Sequence, residues 1–178
     1  MIGISVIDNR KGVTLVEIAI AVAILGLLAA LAITSFGELR EKYAIETETK
    51  NFYAALMEAR GRAMQRNRYH FVNIAPNRYA AYEDRNPAPD GDGSFQPGLD
   101  NEVINGTVNH AIDASNLSAT GMTGINIVFD RRGIATGTGF VSFSNKTGSS
   151  ANPDYNCVTI RETRLRTGKM TGGNCVEK

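Results

Sequence analysis

Glu17 is the one charged side chain in an otherwise apolar stretch. From Val13 to Ile33 only Thr14 and Glu17 are polar, and Ile18 to Ile33 carries no charge. A carboxylate near the start of a membrane helix needs a partner or a route to water. Its plainer role is that of a solvated acid in a first helical turn, favoured by the helix dipole. Other groups with chemical potential lie further on. Cys157 and Cys175 are the only cysteines and form no C-x-x-C pair, and His70 and His110 are far apart. No metal-ligand spacing is visible, so no metal site is expected. The run Asp84 to Ser94 sets carboxylates and amides at alternate positions, as calcium loops do. It fails the EF-hand pattern, with Phe95 in place of the glycine and Asn101 in place of the bidentate glutamate. A solvated acidic turn is the expectation. Between Cys157 and the end of the sequence, Arg161, Arg164, Arg166, Lys169 and Lys178 face only Glu162 and Glu177, a local charge of +3. Such residues either contact phosphates or form a basic edge that discourages strand addition.

No catalytic constellation is present. The sequence has no G-x-S-x-G, H-E-x-x-H or P-loop, and Gly91-Asp92-Gly93 and Gly137-Thr138-Gly139 lack the third glycine of a nucleotide fingerprint. The chain reads as a structural or interaction protein without a cofactor, not an enzyme.

The elements that must position these groups follow from periodicity. The span from Val13 to Ile33 rises roughly 32 Å as a helix, enough to cross the hydrocarbon core of a bilayer. Arg10 and Lys11 precede it, which places the leader in the cytoplasm and the remainder outside. The helical pattern continues to about Asn67 and becomes amphipathic. Phe52, Leu56, Ala59 and Ala63 fall on one stripe, with Glu48, Lys50, Glu58, Arg62 and Arg66 off it. Arg60, Arg62, Arg66 and Arg68 crowd its end, where cations complement the dipole.

From Tyr69 the period shortens. Strands are expected at 69–74, 78–83, 102–108, 126–129, 139–144, 157–161 and 164–169, with turn residues between them. Helix first and strands after gives an α+β fold, the amphipathic half of the long N-terminal helix covering one face of a C-terminal antiparallel β-sheet domain. In the last strands Val158 and Ile160 share a face, and Arg164 and Arg166 lie opposite Leu165.

Arg10-Lys11-Gly12, a hydrophobic Val13, the x-T-L-x-E pattern through Glu17 and the long apolar helix resemble the type III signal of the type IV prepilin family. The resemblance implies four regions: a leader at 1–12, a membrane and filament-core half-helix at 13–33, an amphipathic half-helix at 34–68 and a β-rich globular domain at 69–178. It also implies cleavage between Gly12 and Val13 by a prepilin peptidase, N-methylation of Val13, and an assembly role for Glu17 opposite the N-terminal amine of a neighbouring subunit. The mature chain would sit in the bacterial inner membrane with its globular domain in the periplasm, then enter a filament through helix packing against other pilins. Loss of the leader removes two basic residues and Asp8 from a chain of formal charge +1, leaving zero, which argues against binding nucleic acid through overall basicity. In an exported domain Cys157 and Cys175 are expected to form a disulfide, the alternative being two free buried thiols. Thr34 stands where most type IV pilins have proline, which weakens the expectation of a fixed kink.

The helix Ala55 to Asn67, the sequence Phe129-Asp130-Arg131-Arg132-Gly133 and the late Val-x-Ile and Arg-Leu-Arg strand pair resemble the FimT/GspH branch, minor pilins of type IV pili and minor pseudopilins of type II secretion. The resemblance implies a subunit at or near the filament tip. Some FimT-like members bind DNA through a C-terminal Gly-Arg-x-Arg motif. Here it falls on Thr163-Arg164-Leu165-Arg166, with Thr163 replacing the glycine, and makes Arg161, Arg164, Arg166 and Lys169 candidate DNA contacts.

Overall fold

The computed structural model describes residues 12–88, 91–146 and 149–178; the side chains of 30–35 lie outside the description. The elements in chain order are helix α1 (Leu15–Arg66), then β1 (His70–Ala75), β2 (Arg78–Glu83), β3 (Asn101–Thr107), β4 (Ile112–Asp113), β5 (Ile127–Phe129), β6 (Ala135–Thr136), β7 (Gly139–Phe143), β8 (Cys157–Ile160), β9 (Leu165–Thr171) and β10 (Asn174–Glu177). Two compact units divide the chain, Met1–Gly37 and Glu38–Lys178. The second carries all of the strands.

Within that second unit α1 buries a stripe of Ile45, Thr49, Phe52, Leu56, Ala59 and Ala63. The spacing alternates between four and three residues, the period of one helical face. Thr49 can sit on that face because its hydroxyl donates back to the Ile45 carbonyl at 2.8 Å, which pairs its own polar atom within the core. The helix stops where Asn67 takes φ of 54° and the Arg68 N–H reaches back to the Ala63 carbonyl at 3.2 Å. Asparagine tolerates this left-handed cap better than most side chains.

The fold is α+β, but the expected single sheet is two. One has the order β3-β2-β1-β5-β6 and the other β10-β9-β8-β7-β4, and every pairing is antiparallel. The helix stripe joins Val72, Ala81, Ile127 and Phe129 of the first sheet and Val141, Phe143, Val158 and Ile160 of the second in one core. Phe52 touches both sheets. Its ring meets Tyr79 edge-on at 5.1 Å and Phe143 at 5.8 Å, the geometry aromatic quadrupoles favour. A smaller cluster, Phe71, Ile125 and Val128 with Tyr82, Phe95 and Met122 against it, forms apart from this core. Phe71 and Val72 are neighbours on β1 and so point to opposite faces.

Three strands were not anticipated. β4 and β6 are two residues each, too short to show a period. β10 follows Gly172-Gly173, whose φ of 58° and 82° form the two-residue turn joining Thr171 to Asn174. Paired positive φ values are what a twist-matched hairpin requires, and glycine supplies them without strain.

Candidate assembly helix and basic hairpin

At the N-terminal end of α1, Thr14 and Glu17 cap each other. The Glu17 carboxylate accepts from the Thr14 N–H and hydroxyl, both at 2.9 Å, and the Thr14 hydroxyl oxygen accepts from the Glu17 N–H at 3.2 Å. This reciprocal T-x-x-E pairing satisfies donors that a helix start leaves bare. The Thr14-x-x-Glu17 spacing in the sequence is the signature of this cap. Gly12, Val13 and Glu17 are all exposed, as are the large apolar side chains from Leu15 to Leu28. A continuous apolar surface of this kind marks a membrane or protein contact. Among the described residues no helix is long and apolar enough to cross a membrane. Positions 30–33 of the apolar run and Thr34, where most type IV pilins have proline, lie outside the described side chains.

The arginines at the other end of α1 are held by an acid, and the dipole is not their main partner. Arg66 and Arg68 both donate to the Glu83 carboxylate on β2, Arg68 at 2.7 Å, and Glu83 has no exposed surface. Burial disfavours its charge, but the hydrogen bonds from Arg68 and Arg66 outweigh that and hold the carboxyl below its usual range. Arg62 pairs with Glu58 one turn earlier at 2.6 Å.

Cys157 and Cys175 are joined in a disulfide. It links β8 to β10 across the intervening β9, where Gly168 pairs with Cys157. A Cβ at Gly168 would lie 2.9 Å from the Cys175 sulfur, so the bridge needs a residue without a side chain beneath it. The β8–β9 hairpin pairs Ile160 with Leu165 and Thr159 with Arg166. Its turn closes through the Arg161 N–H to the Arg164 carbonyl at 2.8 Å, and the Glu162 carbonyl accepts from the Ala135 N–H at 2.7 Å. Leu165 is buried, while Arg161, Arg164 and Arg166 are exposed and Lys169 is half-buried. The hairpin is less free than its charge implies. Glu177 on β10 lies 3.0 Å from Arg164 and 3.7 Å from Arg166, so one carboxylate offsets both arginines of the motif.

The acidic loop is not simply solvated. Asp84 is fully buried and accepts from the Gly93 N–H at 2.7 Å; burial raises its carboxyl above the usual range, opposed by that N–H. Asp92 accepts from the Ser94 N–H at 2.9 Å and from the Gln96 amide, and Asp100 from the Gln96 N–H at 2.8 Å and the Arg85 N–H at 3.2 Å. These carboxylates bind their own loop. Positions 89 and 90 lie outside the described residues, and among those described no group of three or more His, Cys, Asp or Glu side chains is placed to hold a metal ion.

An N-terminal helix cap on an apolar segment is followed by a helix shared between two antiparallel sheets. Residues 7–33 match the prokaryotic N-terminal methylation motif. The particular likeness is to a pseudopilin. The chain superposes on two structures of the minor pseudopilin EpsH from the type II secretion system of Vibrio cholerae. One is 17% identical with a TM-score of 0.50, covering 71% of this chain and 97% of that one. The other, a crystal structure, is 14% identical with a TM-score of 0.50, covering 77% and 98%. At these identities the likeness establishes the fold. The chain thus carries the methylation motif and shares the fold of a minor pseudopilin. No curated protein matches the sequence.

Proposed function

We propose that this chain is a minor pilin or pseudopilin, a structural subunit that takes part in assembling a type IV pilus or a type II secretion pseudopilus at or near the filament tip. The observation that carries the reading is the methylation motif at residues 7–33 running into a globular fold shared with a minor pseudopilin. In this reading prepilin peptidase cuts between Gly12 and Val13, and Val13 is N-methylated. The helix from Val13 holds the protein in the bacterial inner membrane with the globular unit in the periplasm. Helix packing against other pilins then draws it into the filament. The test is Gly12→Asp, followed by mass spectrometry of the cellular protein. The variant should accumulate as the uncut precursor; a mature N-terminus at Val13 would sink the reading.

A second reading, DNA capture during transformation, is supported by the exposure of Arg161, Arg164 and Arg166 on a hairpin pinned by the disulfide. Pinning lowers the ordering entropy of binding. Two phosphate contacts would give a log–log salt slope of about −2 on duplex DNA. Titration of labelled duplex into the full chain in detergent micelles at two salt concentrations should show weak, salt-sensitive binding that Arg164→Ala/Arg166→Ala removes. Wild-type protein that binds nothing at low salt leaves assembly as the sole role.

A further inference from the structure

His110 sits in the segment that leads from β3, in one sheet, to β4, in the other, and only 2% of its surface is exposed. Its ring lies between two carboxylates of α1. Nδ1 is 2.8 Å from Glu48 Oε2, and Nε2 is 3.1 Å from Glu41 Oε1, without the alignment of a full hydrogen bond. Glu41 and Glu48 are seven residues apart, two turns along one face. Both also hold backbone. Glu48 accepts from the Asn109 N–H at 3.0 Å and the His110 N–H at 3.3 Å. Glu41 accepts from the Lys146 N–H at 2.9 Å, in the segment after β7, with the Lys146 ammonium 3.9 Å away.

A neutral imidazole has one N–H and one lone pair. Placed between two carboxylates, its lone pair must face an anionic oxygen at close range, which is repulsive. An imidazolium presents an N–H to each side and neutralises half of the paired negative charge. We propose that protonated His110 is a clasp that fastens the sheet-to-sheet connection and the post-β7 segment to the helix, and that loss of its proton loosens both. The other ionisable groups facing the site act in the same sense. The Lys146 N–H holds Glu41 below its ordinary value against the opposing effect of burial, with His110 adding to it, so Glu41 is charged at neutral pH. The Tyr79 phenol on β2 is pushed up by burial and by the Glu48 charge, and so stays neutral. The clasp is therefore closed while both ring nitrogens of His110 carry protons and opens when one is lost.

The experiment uses the full chain in detergent micelles, labelled with 15N-histidine and uniformly with 15N in parallel. Ring nitrogen shifts should show both His110 nitrogens protonated at pH 6. As that signal titrates, hydrogen-exchange protection at the Asn109, His110 and Lys146 amides should drop by about tenfold or more relative to amides of the helix core. His70 is the internal control. It is also buried and its Nε2 lacks a partner among the described residues, and burial pushes its protonation to lower pH than an ordinary imidazole, so its ring should not follow the His110 signal. In His110→Gln the protection at Lys146 should no longer respond to pH. A His110 ring with one N–H from pH 5 to 8 overturns the proposal. So does a His110 titration that leaves the three amides unchanged. The wild-type measurement decides the matter even where the variant does not fold.

Discussion

Two glutamates illustrate how one side chain type serves opposite ends of the same helix. Glu17 is exposed and caps its own helix start through Thr14. Assembly through Glu17 would ask the carboxylate to leave that cap for a neighbour's amine, so the isolated chain holds it in a competing hydrogen bond. Glu17→Ala should be cleaved normally, since the proposed cut lies before Val13, yet fail to co-purify with filaments. Co-purification at the wild-type level would reduce Glu17 to a cap. Glu83 is fully buried between two arginines. Removing one partner of a buried ion pair leaves charge without compensation, and with Arg66 half-exposed the lower end of the usual range applies. Glu83→Gln should lose about 3 kcal/mol in urea titrations. Because the folded carboxyl lies below its unfolded value, its contribution is complete above the ordinary carboxylate range and disappears as pH falls through the folded value. The wild type should lose stability in that acid window, and Glu83→Gln should lose less there. The cap made by Glu17 is legible in the Thr14-x-x-Glu17 spacing. The role of Glu83 is not, because it lies at the end of a strand whose neighbours say nothing of the helix.

At the level of elements, the amphipathic part of α1 was legible because a helical face has a strong period. Phe52, Leu56, Ala59 and Ala63 are all in the core as that period requires. Thr49 and Ile45 extend the same stripe by two turns toward the N-terminus, where the threonine broke the apolar pattern. The longer strands were also legible, several of them to within a residue or two at either end. The division into two sheets was not, because it is set by which strands pair, and β4 and β6 are too short to show any pattern. β10 depends on two constraints acting together, the Gly172-Gly173 turn and the disulfide to β8. Seventeen residues lie between Cys157 and Cys175, and a closed loop of that size stabilises by about 3 kcal/mol through the unfolded state. Cys157→Ser/Cys175→Ser should therefore lower the midpoint of thermal unfolding. Exchange protection should fall first on β10, which pairs with β9 alone. Equal loss across both sheets would show the bridge acting on the whole fold.

On the scale of the whole molecule, the arginine hairpin and the buried core answer to different demands. Charge placement on the hairpin was readable from strand alternation, with Leu165 inward and Arg164 and Arg166 outward. Their neutralisation by Glu177 was not, since it depends on β10 returning alongside β9. The core has a further property that follows from Phe52, Leu56 and their neighbours meeting both sheets at once. Tension applied along α1 and resisted by the strands would be carried in shear, with the stripe from Ile45 to Ala63 having to slip together. Peeling would instead break the same contacts one turn at a time. Forced unfolding is governed by the barrier and not by equilibrium stability. A shared helix stripe therefore gives the globular unit resistance to a pull along the helix that its modest size would not otherwise supply.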